Sequence, residues 1–207
     1  MNDVFLNELA SYDLEWIPIG DSSNETYVFE GTFLGNGYSI YNIYEGSLFG
    51  NIGESGVVKA VSVRQGDIWC AGGIASVNRG IIAFCENACR VGNNGTTYIG
   101  GICGTNYNIV YGCVNIGEVW GTSDAGGIVG INKSYISTVD SCCNIGIVES
   151  SGFEAGGIVS ANYGWIYDCC NLGTVKDNWG GLNCSKTVAG ICPMSKSGEI
   201  RNCGSDR

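Results

Sequence analysis

The sequence predicts an all-β chain wound as a parallel β-helix, a solenoid in which each copy of one motif makes one turn. Three observations carry this. Residues 126–148 read GGIVGINKSYISTVDSCCNIGIV, related segments occupy 72–91, 100–119 and 156–175, and a partial copy starts at Gly190. An internal period of this size is the signature of stacked repeats. Within a copy, residues of like kind are spaced by two, as in Ile158, Ser160, Asn162, Gly164 and Ile166, and again in Cys169, Asn171, Gly173 and Val175. That is the period of a strand, and the density of Gly and β-branched residues speaks against a helix. The copies begin at Ile74, Ile102, Ile128, Ile158 and Ile191, which lie 28, 26, 30 and 33 residues apart. Such a length suits one turn stacked on the next at about 4.8 Å. The competing fold is a β-sandwich of repetitive strands.

The step of three between Ile166 and Cys169 breaks the alternation and marks a bend. Inward-facing asparagines are costly unless paired, so stacked copies predict two amide ladders. One runs through Asn78, Asn106, Asn132 and Asn162, the other through Asn87, Asn115, Asn144 and Asn171. A third column, of small soft side chains, holds Cys85, Cys113, Cys142, Cys169 and Cys203.

In chain order, residues 1–10 (MNDVFLNELA) read as a short capping helix with Val4, Phe5 and Leu9 on one face. Residues 16–20 and 27–43 read as lead-in strands, with a turn at Gly35-Asn36-Gly37. Residues 1–46 thus form a cap and lead-in, and residues 47–207 the repeats, the first of them degenerate with Leu48 at the isoleucine position. About six coils are expected in one elongated domain. The sequence stops partway through a turn without a recognisable cap. End-to-end self-association or further domains are expected there.

Net charge is −10, from 20 acidic and 10 basic side chains, which argues against nucleic acid or an anionic membrane as partner. No apolar run reaches spanning length, and residues 1–10 lack the basic start and apolar core of a signal peptide. The absence of His removes the commonest general base and a common metal ligand. No cofactor and no metal are expected. Cys142-Cys143 and Cys169-Cys170 do bring four sulfurs together, but without a CxxC pair or a histidine. Cys143 and Cys170 lie on the opposite parity to the cysteine column and are placed to pair across adjacent turns in an oxidising setting.

Variable loops at 92–99, 120–125, 149–155 and 176–189 separate the copies, and repeat insertions of this kind gather on one edge. That edge carries Trp120, Asp124, Phe153, Glu154 and Trp179, aromatics beside carboxylates, suited to a glycan or a protein ligand. The plainer alternative is that these rings cover the ends of the sheets. An enzyme acting on polysaccharide would instead use outward acids such as Asp140, between Tyr111 and Tyr167 on adjacent turns, with Asp168 and Glu118. These acids are scattered and have no basic companion, so a non-catalytic role is expected.

Gly101-Ile102-Cys103-Gly104 and Gly127-Ile128-Val129-Gly130, with the Cys-x-Asn-x-Gly-x-Val tail, resemble GLUG-motif repeat proteins, found mainly in bacterial surface and secreted proteins. Residues 16–20 (WIPIG) and 31–37 (GTFLGNG) look like the usual lead-in of such arrays, and Ser76 and Ser160 depart from the motif where it closes with Gly. The resemblance implies a right-handed parallel β-helix used as a stalk or adhesive module at the cell surface or outside the cell. It supplies no catalytic residues.

Overall fold

The computed structural model of the chain describes residues 2–6, 16–21, 23, 26–93, 95, 97–177 and 187–205. Among them every strand pairing is parallel, and the strands stack as a β-solenoid of about five turns. Each turn passes through a six-stranded sheet containing Cys103–Asn106 and Val129–Asn132, then a seven-stranded sheet containing Ile109–Tyr111 and Thr138–Asp140. It continues into an eleven-stranded sheet through Val114–Asn115 and Cys143–Asn144, then a four-stranded sheet through Asp124–Gly126 and Glu154–Gly156. The isoleucines that open the copies lie directly over one another. Ile74 N–H donates to Ile102 O at 3.0 Å, Ile102 to Ile128 at 2.9 Å, Ile128 to Ile158 at 2.9 Å and Ile158 to Ile191 at 3.0 Å. The first four are fully buried. With Val110, Val139 and Ile166 they form one continuous apolar column down the axis.

The bend that the step of three requires is made by one left-handed residue per turn. Ala60, Phe84, Gly112, Ser141, Asp168 and Asn202 occupy the same corner, with φ between 48° (Asp168) and 60° (Gly112). A side chain there costs conformational energy except in Gly and, in part, Asn and Asp. At Gly112 a second reason holds, since a Cβ would sit 2.8 Å from the Phe84 ring that packs above it.

The paired glycines opening each copy answer to close approach. A Cβ on Gly127 would lie 2.1 Å from Gly157 O on the next turn and 2.4 Å from the Asn144 amide carbon. The motif is therefore two facts about one space: the asparagine fills the interior up to the backbone of the next turn, and only glycine fits beneath it.

The capping helix expected over residues 1–10 is not formed where the chain is described. Val4–Phe5 is a strand, paired in parallel with Ile40 and Tyr41, and the Phe5 ring stacks on Tyr41 at 4.6 Å. Helix propensity is a weak prior, and Ser39–Tyr41 offers an unpaired edge whose carbonyls accept backbone donors, as Tyr41 O does from Leu6 N–H at 3.2 Å. Leu9 and Ala10 lie outside the described residues. The lead-in strands Thr32–Leu34 and Ser39–Tyr41 pair in register with Val57–Lys59 and with Ser62–Arg64 of the longer strand Ser62–Ile68, joining the same sheets as the repeats. Residues 16–20 contribute a single bridge, Ile19 to Phe49, rather than a strand.

Candidate functional site

Both asparagine columns are continuous hydrogen-bonded ladders. Asn78 Nδ2 donates to Asn106 Oδ1 at 2.8 Å, Asn106 to Asn132 at 2.9 Å and Asn132 to Asn162 at 2.8 Å. Asn87 donates to Asn115, Asn115 to Asn144 and Asn144 to Asn171, each at 2.8 Å. In the second ladder the remaining amide proton goes to the carbonyl two residues on, as from Asn115 to Gly117 O at 2.9 Å. All eight side chains are within a percent of full burial. Stacking gives each inner amide ladder partners above and below and a carbonyl besides, which is how the interior tolerates it.

The cysteine column turns inward. Cys85, Cys113, Cys142 and Cys169 are buried, and Cys203 is half-buried at the last rung. The thiols have local work: Cys113 donates to Tyr111 O at 3.4 Å and Cys142 to Asp140 O at 3.2 Å, carbonyls beside the left-handed corner. Burial pushes the Cys89 and Cys192 thiols up to about 12 and raises Cys103 and Cys113 above the ordinary range, so these groups stay protonated. Cys143 and Cys170 face the other way, in register on adjacent strands with Cα atoms 4.7 Å apart, and are joined by a disulfide. Among the described residues no group of three or more Cys, Asp and Glu is arranged to hold a metal ion.

The loop edge is less open than the sequence suggested. Trp120 is half-buried, meets Trp69 edge to face at 5.8 Å and lies under the Arg90 guanidinium at 4.6 Å. It fits because residue 92 on the adjacent turn is Gly: a Cβ there would lie 2.1 Å from Trp120 Nε1. Asp124 is only 8% exposed, whereas Phe153 is 60% exposed. Trp179 lies outside the described residues.

Asp124 and Glu154 are brought together on adjacent turns, since Ala125 and Ala155 pair in register. Asp124 Oδ1 also accepts the Glu154 N–H at 3.1 Å. Burial and the hydrogen bond to Asp124 push the Glu154 carboxyl up to about 7, against a weaker opposing pull from Lys196. Tyr98, in register with Asp124, is raised by burial and then by Asp124, Tyr163 and Glu154. The folded chain therefore binds a proton at Glu154 that the unfolded chain releases at a pH nearer the ordinary 4.5. Folding stability should then fall as pH rises from about 4.5 to about 7, and stay lower above that window. Glu154→Gln should remove this dependence. Urea melts at pH 5 and pH 8 check it, and an equal difference between wild type and variant at both would refute it.

The outer face of the seven-stranded sheet carries a half-buried aromatic pair. Trp165 and Tyr167 stack with ring centroids 5.7 Å apart and planes 19° from parallel. On the neighbouring turn Thr138 and Asp140 lie in register beside them, followed by Tyr111, which meets Phe84 edge to face at 5.2 Å. Asp140 thus sits between two tyrosines. Asp168 lies exposed at the corner, and Glu118 is on another face, ion-paired with Arg90 at 3.6 Å. The three acids named for an enzyme are not brought together.

No family model matches the chain, and neither does any curated protein sequence. Among solved structures the chain is similar to a candidate immunoglobulin A1 protease from Bacteroides ovatus. The two are 16% identical with a TM-score of 0.67, over 95% of this chain and 76% of that one. At that identity the likeness speaks to fold alone. The shared fold is a β-solenoid.

Seen on that solenoid, the carboxyl pair and the ring platform are both products of register. Asp124 and Glu154 are 30 residues apart and Asp140 and Tyr167 are 27 apart, each one turn. Counting one turn along the chain would have found both. The packing of Trp120 against Trp69 and Arg90 had no such signal, because it depends on where the loops fold back. No helix among the described residues is long and apolar enough to cross a membrane.

Proposed function

We propose that the chain is a non-catalytic scaffold, a right-handed β-helix of about six coils that presents the Trp165–Tyr167 platform to a glycan. The observation carrying this is the pair of near-parallel, half-buried rings on the outer face of the sheet, flanked by Thr138 and Asp140. Sugar rings lie flat on such aromatic faces through their C–H groups, while hydroxyl and carboxylate neighbours bind their hydroxyls. Right-handedness follows from the twist of strands joined by crossovers in one sheet. The GLUG-like segments support a place in a bacterial surface or secreted protein. The test is retention on a glycan array. Trp165→Ala/Tyr167→Ala should lose retention while staying folded by circular dichroism, whereas Trp120→Ala, which removes a ring packed on Trp69 and Arg90, should lower the melting temperature and keep retention. Full retention by the platform variant would sink the reading.

One observation favours a second reading, a polysaccharide-active enzyme: Asp124 and Glu154 lie together on adjacent turns, Asp124 Oδ1 accepting the Glu154 N–H at 3.1 Å, and burial raises the Glu154 carboxyl toward the range a general acid needs. Release of reducing ends from a polysaccharide that disappears in Glu154→Gln would establish it. Peptide hydrolysis, suggested by the description of the Bacteroides neighbour, would need a nucleophile and base found without histidine.

A further inference from the structure

The residue that follows each asparagine of the first ladder, continued by the residue after Ser195 on the next turn, forms a column of its own. Arg79, Tyr107, Lys133, Tyr163 and Lys196 alternate cation and phenol over five successive rungs. Their amides are the rungs: Tyr107 N–H donates to Asn78 O, Lys133 to Asn106 O and Tyr163 to Asn132 O, each at 2.8 Å, and Lys196 to Asn162 O at 2.9 Å. The asparagines are buried, while Lys133 and Lys196 are exposed and the other three half-buried. The Arg79 guanidinium lies 4.7 Å from the Tyr107 ring centroid, and Lys133 Nζ lies 5.9 Å from the same ring. Beside them opens a cleft of about 470 Å³ lined by Glu54, Arg79, Tyr107, Asn108 and Ile136. A chain with net charge −10 and only 10 basic side chains thus sets three of them in a line on one corner.

We infer that this column binds an acidic polysaccharide bearing one negative group on every second sugar. The inference rests on the glycan reading above, lies at the corner that precedes the seven-stranded sheet and not on the Trp165–Tyr167 platform itself, and specifies the class of ligand. Its basis is spacing. Two rungs, about 9.6 Å, separate Arg79 from Lys133 and Lys133 from Lys196. An extended β-linked polysaccharide advances by roughly the rise of one rung per sugar. Carboxylates on alternate sugars then meet the cations, and the sugars between them lie against Tyr107 and Tyr163. Charges of the opposite sense face the two ends: Glu54 lines the cleft by Arg79, and Glu154 lies near Lys196. Because Glu154 takes up its proton at about 7, the Lys196 end is least opposed below neutrality.

The test titrates the whole chain calorimetrically at pH 6 and low salt with three probes. These are a hyaluronan hexasaccharide (one carboxylate per disaccharide), hexagalacturonate (one per sugar) and neutral cellohexaose. The hyaluronan probe should bind about tenfold more tightly than cellohexaose and weaken as salt is added. Lys133→Ser should cost the hyaluronan probe about fivefold or more, leaving cellohexaose affinity and melting temperature unchanged, and Arg79→Ser, which also gives up packing on Tyr107, should cost as much with cellohexaose affinity unchanged. Equal affinity for cellohexaose, or unaltered hyaluronan binding by Lys133→Ser, would overturn the inference and leave the glycan reading standing. Preference for hexagalacturonate would overturn the alternate-sugar spacing. Binding of none of the three would remove both.

Discussion

Asn115→Ala should lower the unfolding free energy by about 3–5 kcal/mol, among the largest losses a single substitution in this chain can cause. Asn115 is the second rung of its ladder, accepting from Asn87 and donating to Asn144, both at 2.8 Å. Alanine leaves the Asn87 amide without its acceptor and the Asn144 carbonyl without its donor, with both residues fully buried. It also strips Gly117 O of the proton it receives at 2.9 Å. Each orphaned buried group costs about 1–3 kcal/mol. The apolar volume lost is small, so the effect should be almost wholly polar. Asn171→Ala is the internal control, because that last rung has one ladder neighbour, Asn144, instead of two. Its loss should be about half as large. Urea denaturation followed by circular dichroism measures both. A loss below about 1 kcal/mol at Asn115, or one no greater than at Asn171, would mean that the ladder does not carry the stability assigned to it.

The same dependence on register explains what could be read from the chain beforehand. Asn78, Asn106, Asn132 and Asn162 were legible because their neighbours repeat with them, so alignment of the copies is alignment in space. The bend was legible as a break in parity, although not that it needs a left-handed residue, since Ala60 and Phe84 carry no glycine signal. Val4–Phe5 was misread because its partner is a sheet edge that exists only once Ser39–Tyr41 has folded. The Arg79–Lys196 column follows from the same alignment of copies, one place after each asparagine of the first ladder and after Ser195, but its side chains share no type from rung to rung and so carry no repeat signal. The covering of Asp124 and Trp120 belongs to loops of unequal length, where no period transfers from copy to copy.

Removal of the outer disulfide should have the second large effect. Cys143→Ser/Cys170→Ser should lower stability by about 3–4 kcal/mol in oxidising buffer, the loop-closure value for a sequence separation of 27. The reason lies in the unfolded chain, which the bridge forbids from separating two neighbouring turns. Reduction of the wild type should produce the same loss, and a reductant should do nothing further to the double variant. The inward neighbours Cys142 and Cys169 are one rung apart as well, yet Cys142 is turned by its thiol bond to Asp140 O, is 1% exposed and is shut off from solvent oxidant by the sheet. Cys142→Ser should therefore leave the response to reductant intact, separating the bridge from the ladder behind it. Should reductant leave the wild-type urea midpoint unmoved, the bridge would have no mechanical role. If the midpoint falls as stated, two neighbouring turns of the solenoid are fastened at the outer face of the eleven-stranded sheet in any oxidising milieu.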